Sequence, residues 1–187
     1  FMQKLATLFT CSYGELKHVR TVTVCAMMGA AGIVLSAMSI EVGSTIRIGF
    51  SGIPNELVHY LFGPVTGSLF AGVMDIVKYL LKPTGAFFPG FTLIAMLAGL
   101  IYGSFFYKRP LKLWRVFAAH FVVSLVCNVC LNTVCLSVLY GKAFGVLLPA
   151  RAVKNLIMWP IDSIIFYNVA KLLEAAGLFK MLEKGNR

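Results

Sequence analysis

The chain has 187 residues, 59% hydrophobic and 13% charged, with a formal net charge of +10 from 17 Lys and Arg against 7 Asp and Glu. So apolar a balance excludes an ordinary soluble domain, and in such a chain the basic excess points to membrane topology rather than to nucleic acid. Apolar runs recur along most of the length, without the short alternating segments of a β-barrel. The expectation is an all-α integral membrane protein, because backbone polar groups in lipid must be satisfied within their own segment.

In chain order, the opening FMQKLATLFTCSYGEL is too short and too mixed for a confident span, and it lacks a convincing signal-cleavage site. Residues 1–18 are expected as an interfacial or flexible N-terminal tail. Six apolar segments follow, near 19–40, 52–63, 65–82, 90–107, 112–140 and 149–177, forming one membrane domain over 19–179 with a C-terminal tail at 180–187. The second segment is short for a span; the fifth and sixth are long, and are expected to tilt or protrude. Lys17 and Arg20, the set Lys108, Arg109, Lys112 and Arg115, and the set Lys171, Lys180, Lys184 and Arg187 fall on one side of a six-span chain. The positive-inside rule then places both termini and the 108–115 connection in the cytoplasm.

Six further cations, Arg47, Lys78, Lys82, Lys142, Arg151 and Lys154, lie in or beside the opposite connections, where topology gives no reason for them. They read either as a solvated rim or as a positive funnel for an anionic ligand. The broken stretch YLLKPTGAFFPGFTL, residues 79–93, lies among them. Pro83 ends the third helix, Gly85 and Gly90 permit turns, and Pro89 precedes the fourth. Aromatic helix ends are common in membranes, yet Phe87, Phe88 and Phe91 with the Thr92 hydroxyl also suit a planar heteroaromatic ligand.

Polar residues inside the spans complete the candidate site. Asp75, Lys78 and Tyr79 share a helical face, and an Asp75–Lys78 ion pair is the alternative to a ligand role. Asn128 and Asn132 share a face of the fifth segment, suited to another helix or to a ligand with donors and acceptors. Arg151, Asn155, Trp159 and Asp162 form a stripe on the sixth. Five cysteines and three scattered histidines give no disulfide framework, zinc motif or metal site, and no cofactor is expected. Neither a Walker sequence nor a supported Ser–His–Asp set favours an enzyme.

The run from RIGFSGIPNELVHYLFGPVTGSLFAGVMDIVKYLLKPTGAFFPGFTL to IYG, with LPARAVKNLIMWPID, resembles the folate-specific S components of energy-coupling factor (ECF) transporters. The FGP turn is shared among several S-component branches, whereas PTG.FFPGFTL is closer to the folate branch. The resemblance implies a six-helix S-component fold in a bacterial plasma membrane. It also implies capture of folate outside the cell and delivery inward by toppling, as part of an ABC-type importer. The partners implied are a transmembrane coupling subunit (EcfT-type) and two ATP-binding subunits. Ala26 and Ala30 match the family's Ala-x-x-x-Ala contact with the coupling subunit. The implied substrate site has Phe91 and Trp159 lining the ring and Asp75, Thr92, Asn128 and Asn155 as hydrogen-bonding groups. Gly90 belongs to its loop, and Arg47, Lys78 or Arg151 meet the carboxylates or close the loops. The alternatives are an S component for riboflavin, pantothenate or thiamine, and a small membrane enzyme.

Overall fold

A computed structural model describes residues 2–16, 18–37, 40–42, 46–48, 51–81, 87–140 and 144–175. Helices α1 (Met2–Glu15) and α2 (Val19–Ala37) precede a hairpin of β1 (Ile40–Val42) and β2 (Ile46–Ile48). Then come α3 (Gly52–Leu81), α4 (Pro89–Phe106), α5 (Leu113–Val123), a π-helical segment (Ser124–Leu131), α6 (Asn132–Tyr140) and α7 (Phe144–Ala175). Five of the helical stretches are long and apolar enough to cross a membrane: Val19–Ser36, Gly52–Leu81, Pro89–Phe106, Leu113–Leu139 and Arg151–Ala175. The chain is therefore all-helical in class and multi-pass. The hairpin, which pairs Glu41 with Arg47, was not among the expected elements. Its β-branched IEV and IRI runs flank a Gly-Ser-Thr, a pattern that favours a local strand pair.

The second and third expected segments are the two arms of α3. Between them Gly63 has φ 85°, ψ −170°, outside helical geometry and in a region open to glycine. Pro64 follows, suited to the first turn of a new helix because it has no N–H to leave unpaired. The arms fold back on each other: a Cβ on Gly67 would strike the His59 ring. In an uninterrupted helix, residues eight apart would be separated by about 12 Å along the axis. The first arm, residues 52–62, is about 16 Å long at the helical rise, roughly half the hydrocarbon thickness.

The stretch expected as an N-terminal tail supplies α1, which docks on this break. Ser12 is fully buried, and its Oγ donates to the Phe62 carbonyl at 2.7 Å. The same oxygen accepts from the Val65 and Thr66 N–H groups at 3.0 and 3.2 Å. Thr66 Oγ1 donates back to the Ser12 carbonyl at 2.8 Å. These are orphan donors of a helix N-terminus, capped from a separate helix.

The second arm of α3 and α4 run antiparallel and very close. Cβ atoms on Gly99 and Gly103 would meet the backbones of Ser68 and Pro64, while one on Gly72 would meet Met96. Small residues at such crossings let backbones approach, the main route to helix association in lipid. Leu57, Phe106, Val116, Ala119, Phe166 and Ala170 form a packed core. Buried Thr66, Ser68, Thr133 and Ser163 coexist with Leu80 (73% exposed) and Leu172 (69% exposed), the distribution of a chain whose exterior faces lipid.

Candidate ligand-binding site

A cavity of about 540 Å³ opens at the end of the bundle away from Gly63, within the usual range for a small-molecule site. The second arm of α3 contributes Asp75, Lys78 and Tyr79. Phe87, Phe88 and Phe91 enter from the start of α4, Ser36 from α2, and Arg151 from the early turns of α7.

The aromatic residues pack as a cluster. Phe88 and Phe91 meet edge to face with centroids 5.9 Å apart, and Tyr79 tilts against Phe87 at 5.1 Å. A Cβ on Gly90 would strike the Phe88 ring and lie 2.8 Å from Cys135 Sγ. Its role is to let the first turn of α4 approach α6.

Thr92 Oγ1 donates to Asp75 Oδ2 at 2.8 Å, bridging α4 and α3. Thr92 itself is not part of the lining. The carboxylate is thus engaged by a hydroxyl, and the alternative of a direct Asp75–Lys78 ion pair is not what the structure has. Lys78 and Arg151 also line the cavity, with Asp75 acting on Lys78 electrostatically from the same helical face.

The opposite wall depends on the π-helical segment. An α-helix turns about 100° per residue, which points residues five apart about 140° from each other. Bonding from i to i+5 widens the turn and returns them to nearly one face. Cys127 and Asn132 both line the cavity, with Asn128 beside them and Leu136 and Leu139 above. The sequence pairing of Asn128 with Asn132 thus holds, through a turn wider than the one assumed.

Asn155 and Trp159 are placed elsewhere. Both line a separate pocket of about 250 Å³ with Phe121, Leu125 and Leu156. Asn155 Nδ2 donates to the Arg151 carbonyl at 3.0 Å, and Trp159 Nε1 donates to the Phe117 carbonyl at 2.9 Å. The backbone of Arg47 lies in β2, but its side chain is outside the described residues, as are Lys82 and Lys142. Ala26 and Ala30 are exposed on the outer face of α2, while Gly29 and Gly32 turn inward toward Met74. Sequence reasoning did not single out Ser36 or the cavity role of Cys127.

A small helical bundle with an aromatic, cationic cavity at one end matches a known class. The family model of the ECF transporter substrate-specific component matches residues 20–170, and the chain belongs to that family. Among individual relatives, it is 37% identical to the folate transporter FolT of Clostridium novyi (strain NT), over 76% of this chain and 83% of the relative. It is 33% identical to FolT of Leuconostoc mesenteroides, over 76% and 80%. The crystal structure of FolT bound with folic acid superposes with a TM-score of 0.72 at 33% identity, covering 81% of this chain and 93% of that one.

Proposed function

We propose that this chain is the folate-capturing component of an ECF importer, binding its ligand in the cavity between α3, α4, α6 and α7. The observation that carries the reading is the meeting of a phenylalanine cluster with two cations, Lys78 and Arg151, in one cavity. Folate combines a flat pterin, rich in donors and acceptors, with a dianionic glutamate. Phe91 and its neighbours offer faces to the ring, Asn128 and the Asp75–Thr92 pair offer hydrogen bonds, and Lys78 and Arg151 meet the carboxylates. Arg47, from the hairpin, is a further candidate for the anionic end. The relatives named for folate support the choice of vitamin.

The outward Ala26 and Ala30 face is proposed to contact the transmembrane coupling subunit, small residues allowing close helix approach. ATP hydrolysis then belongs to two separate subunits, and the occupied chain topples to deliver its ligand. Both termini are placed in the cytoplasm of a bacterial cell, on the charge pattern alone. The C-terminal tail proposed at 180–187 lies outside the described residues.

The test is calorimetric titration of the detergent-purified chain with folate, pteroate, riboflavin, thiamine and pantothenate. Tight binding of folate, weaker binding of pteroate for want of the glutamate, and no binding of the others are expected. Selective binding of another vitamin would replace the ligand assignment.

A further inference from the structure

The wide turn in the cavity wall leaves one backbone group over. Asn132 N–H reaches back five residues, to the Cys127 carbonyl. In α6, which begins at Asn132, each N–H reaches back four, a pattern that assigns the Leu131 carbonyl to Cys135. Between these two bonds lie the N–H groups of Thr133 and Val134 and the carbonyls of Asn128, Val129 and Cys130. Two donors meet three acceptors, so one carbonyl goes without a helix N–H. The Thr133 hydroxyl does not make up the difference: its Oγ1 is buried and has no hydrogen-bond partner among the described residues.

Surroundings decide which carbonyl that is. All three lie within the span Leu113–Leu139. Inside a membrane an unpaired backbone group is costly against lipid or an apolar wall, and is tolerated where it lines a polar cavity. Val129 lines the apolar side pocket, and Cys130 is exposed on the outside of the bundle. Asn128 lines the large cavity. A carbonyl freed from its helix bond tilts away from the axis, toward the side that its residue occupies. The Asn128 carbonyl is therefore the one set free, a fixed acceptor beside the side-chain amides of Asn128 and Asn132.

We propose that the wide turn serves to hold the Asn128 backbone carbonyl open to the cavity, where it accepts a hydrogen bond from the exocyclic amino group of a bound pterin. This deepens the folate-binding reading above and rests on it. A carbonyl only accepts, so it favours a ligand edge that carries a donor and disfavours one that does not. An amide side chain can turn over and present either a donor or an acceptor. The amino group has two hydrogens, so it meets the carbonyl and still has one to give to a neighbouring side chain. A regular α-helix here would pair all three carbonyls and remove the acceptor, which gives the wide turn a functional reason to persist.

The experiment is calorimetric comparison of folate with the folate analogue that lacks the pterin amino group, in the full chain, in Asn128→Ala and in the chain with Cys130 deleted. The deletion brings Asn132 to four residues from Cys127, so a regular helix can pair every carbonyl while Asn132, Leu136 and Leu139 keep their common face. Cys130 lines neither cavity, and Cys130→Ala, which keeps the chain length, should bind as wild type does. Wild type is expected to bind folate about tenfold more tightly than the analogue, the scale of one hydrogen bond. Asn128→Ala keeps the carbonyl and should keep that ratio, although both ligands bind more weakly. The deletion should bring the ratio to about one, with an unfolding midpoint no lower than that of wild type. A ratio of about one in wild type would overturn the proposal, as would a tenfold ratio that survives the deletion. A ratio lost in Asn128→Ala would overturn it too, by giving the acceptor to the side chain; that variant carries the test if the deletion does not fold. Failure of wild type to bind folate at all would instead overturn the folate reading on which the proposal depends.

Discussion

The two ends of the bundle are built in opposite ways. At the Gly63 end the backbones of α3 and α4 touch, Tyr107 is 3% exposed, and Ser12 accepts from helix donors freed at the break. At the cavity end, aromatic rings and the long side chains of Lys78 and Arg151 line an open cavity. Close backbone packing makes a fixed pivot. A loosely filled, charged opening makes a place for a ligand. The same helices, α3 and α4, serve both, because glycines at 99 and 103 give way along α4 to Thr92 and Phe91.

Substitutions that separate stability from affinity test this contrast. The largest effect is expected from Gly103→Val. Its Cβ would meet the Pro64 backbone and lie 2.7 Å from the Gly63 carbonyl carbon, so rigid atoms must move. A loss of about 3 kcal/mol is expected from such overpacking, read as a lower midpoint of thermal unfolding in detergent. The surviving folded fraction should bind folate as wild type does. An unchanged midpoint would mean that this end is not tightly set.

Arg151→Ala should produce the reverse. Arg151 has no described ion-pair partner to lose, so the unfolding midpoint should stay in place. Folate affinity should fall by about tenfold or more, the usual scale for a charge-assisted contact, while pteroate affinity should change little. Equal losses for both ligands would move Arg151 from the glutamate to the ring. Ser12→Ala comes next, with an expected cost of about 1–2 kcal/mol, as for loss of a helix cap. Here too the unfolding midpoint is the measurement, with affinity held.

The cavity end was the more legible of the two in the sequence, and the reason is energetic. A charge inside a span is costly, so Asp75, Lys78 and Arg151 stood out before any geometry was known, and all three line the cavity. Ser12 carried no comparable mark, because a serine near a terminus is ordinary until a helix break lies opposite it. The break was visible as FGP, but the partner for its orphan donors depends on tertiary docking. The wide turn at Ser124–Leu131 was also invisible: SLVCNVCL contains no glycine or proline to announce it. The Arg151 stripe failed to stay together for a geometric reason. At about 100° per residue, positions four and eight further on are rotated by about 40° and about 80°.

That rotation sets the smallest expected effect. Asn155 and Trp159 face the pocket shared with Phe121 and Leu125, the latter 50% exposed. Asn155 spends its amide donor on the Arg151 carbonyl of its own helix. Asn155→Ala should therefore leave folate affinity within about twofold of wild type, below the scale of a single lost hydrogen bond. The comparison with Arg151→Ala is direct, since the two residues are one turn apart on α7 and share that backbone contact. A tenfold loss for Asn155→Ala would require the carbonyl bond to orient Arg151, or α7 to rotate when ligand binds. Combining it with Arg151→Ala would separate the two, since an orienting role disappears once the guanidinium is gone.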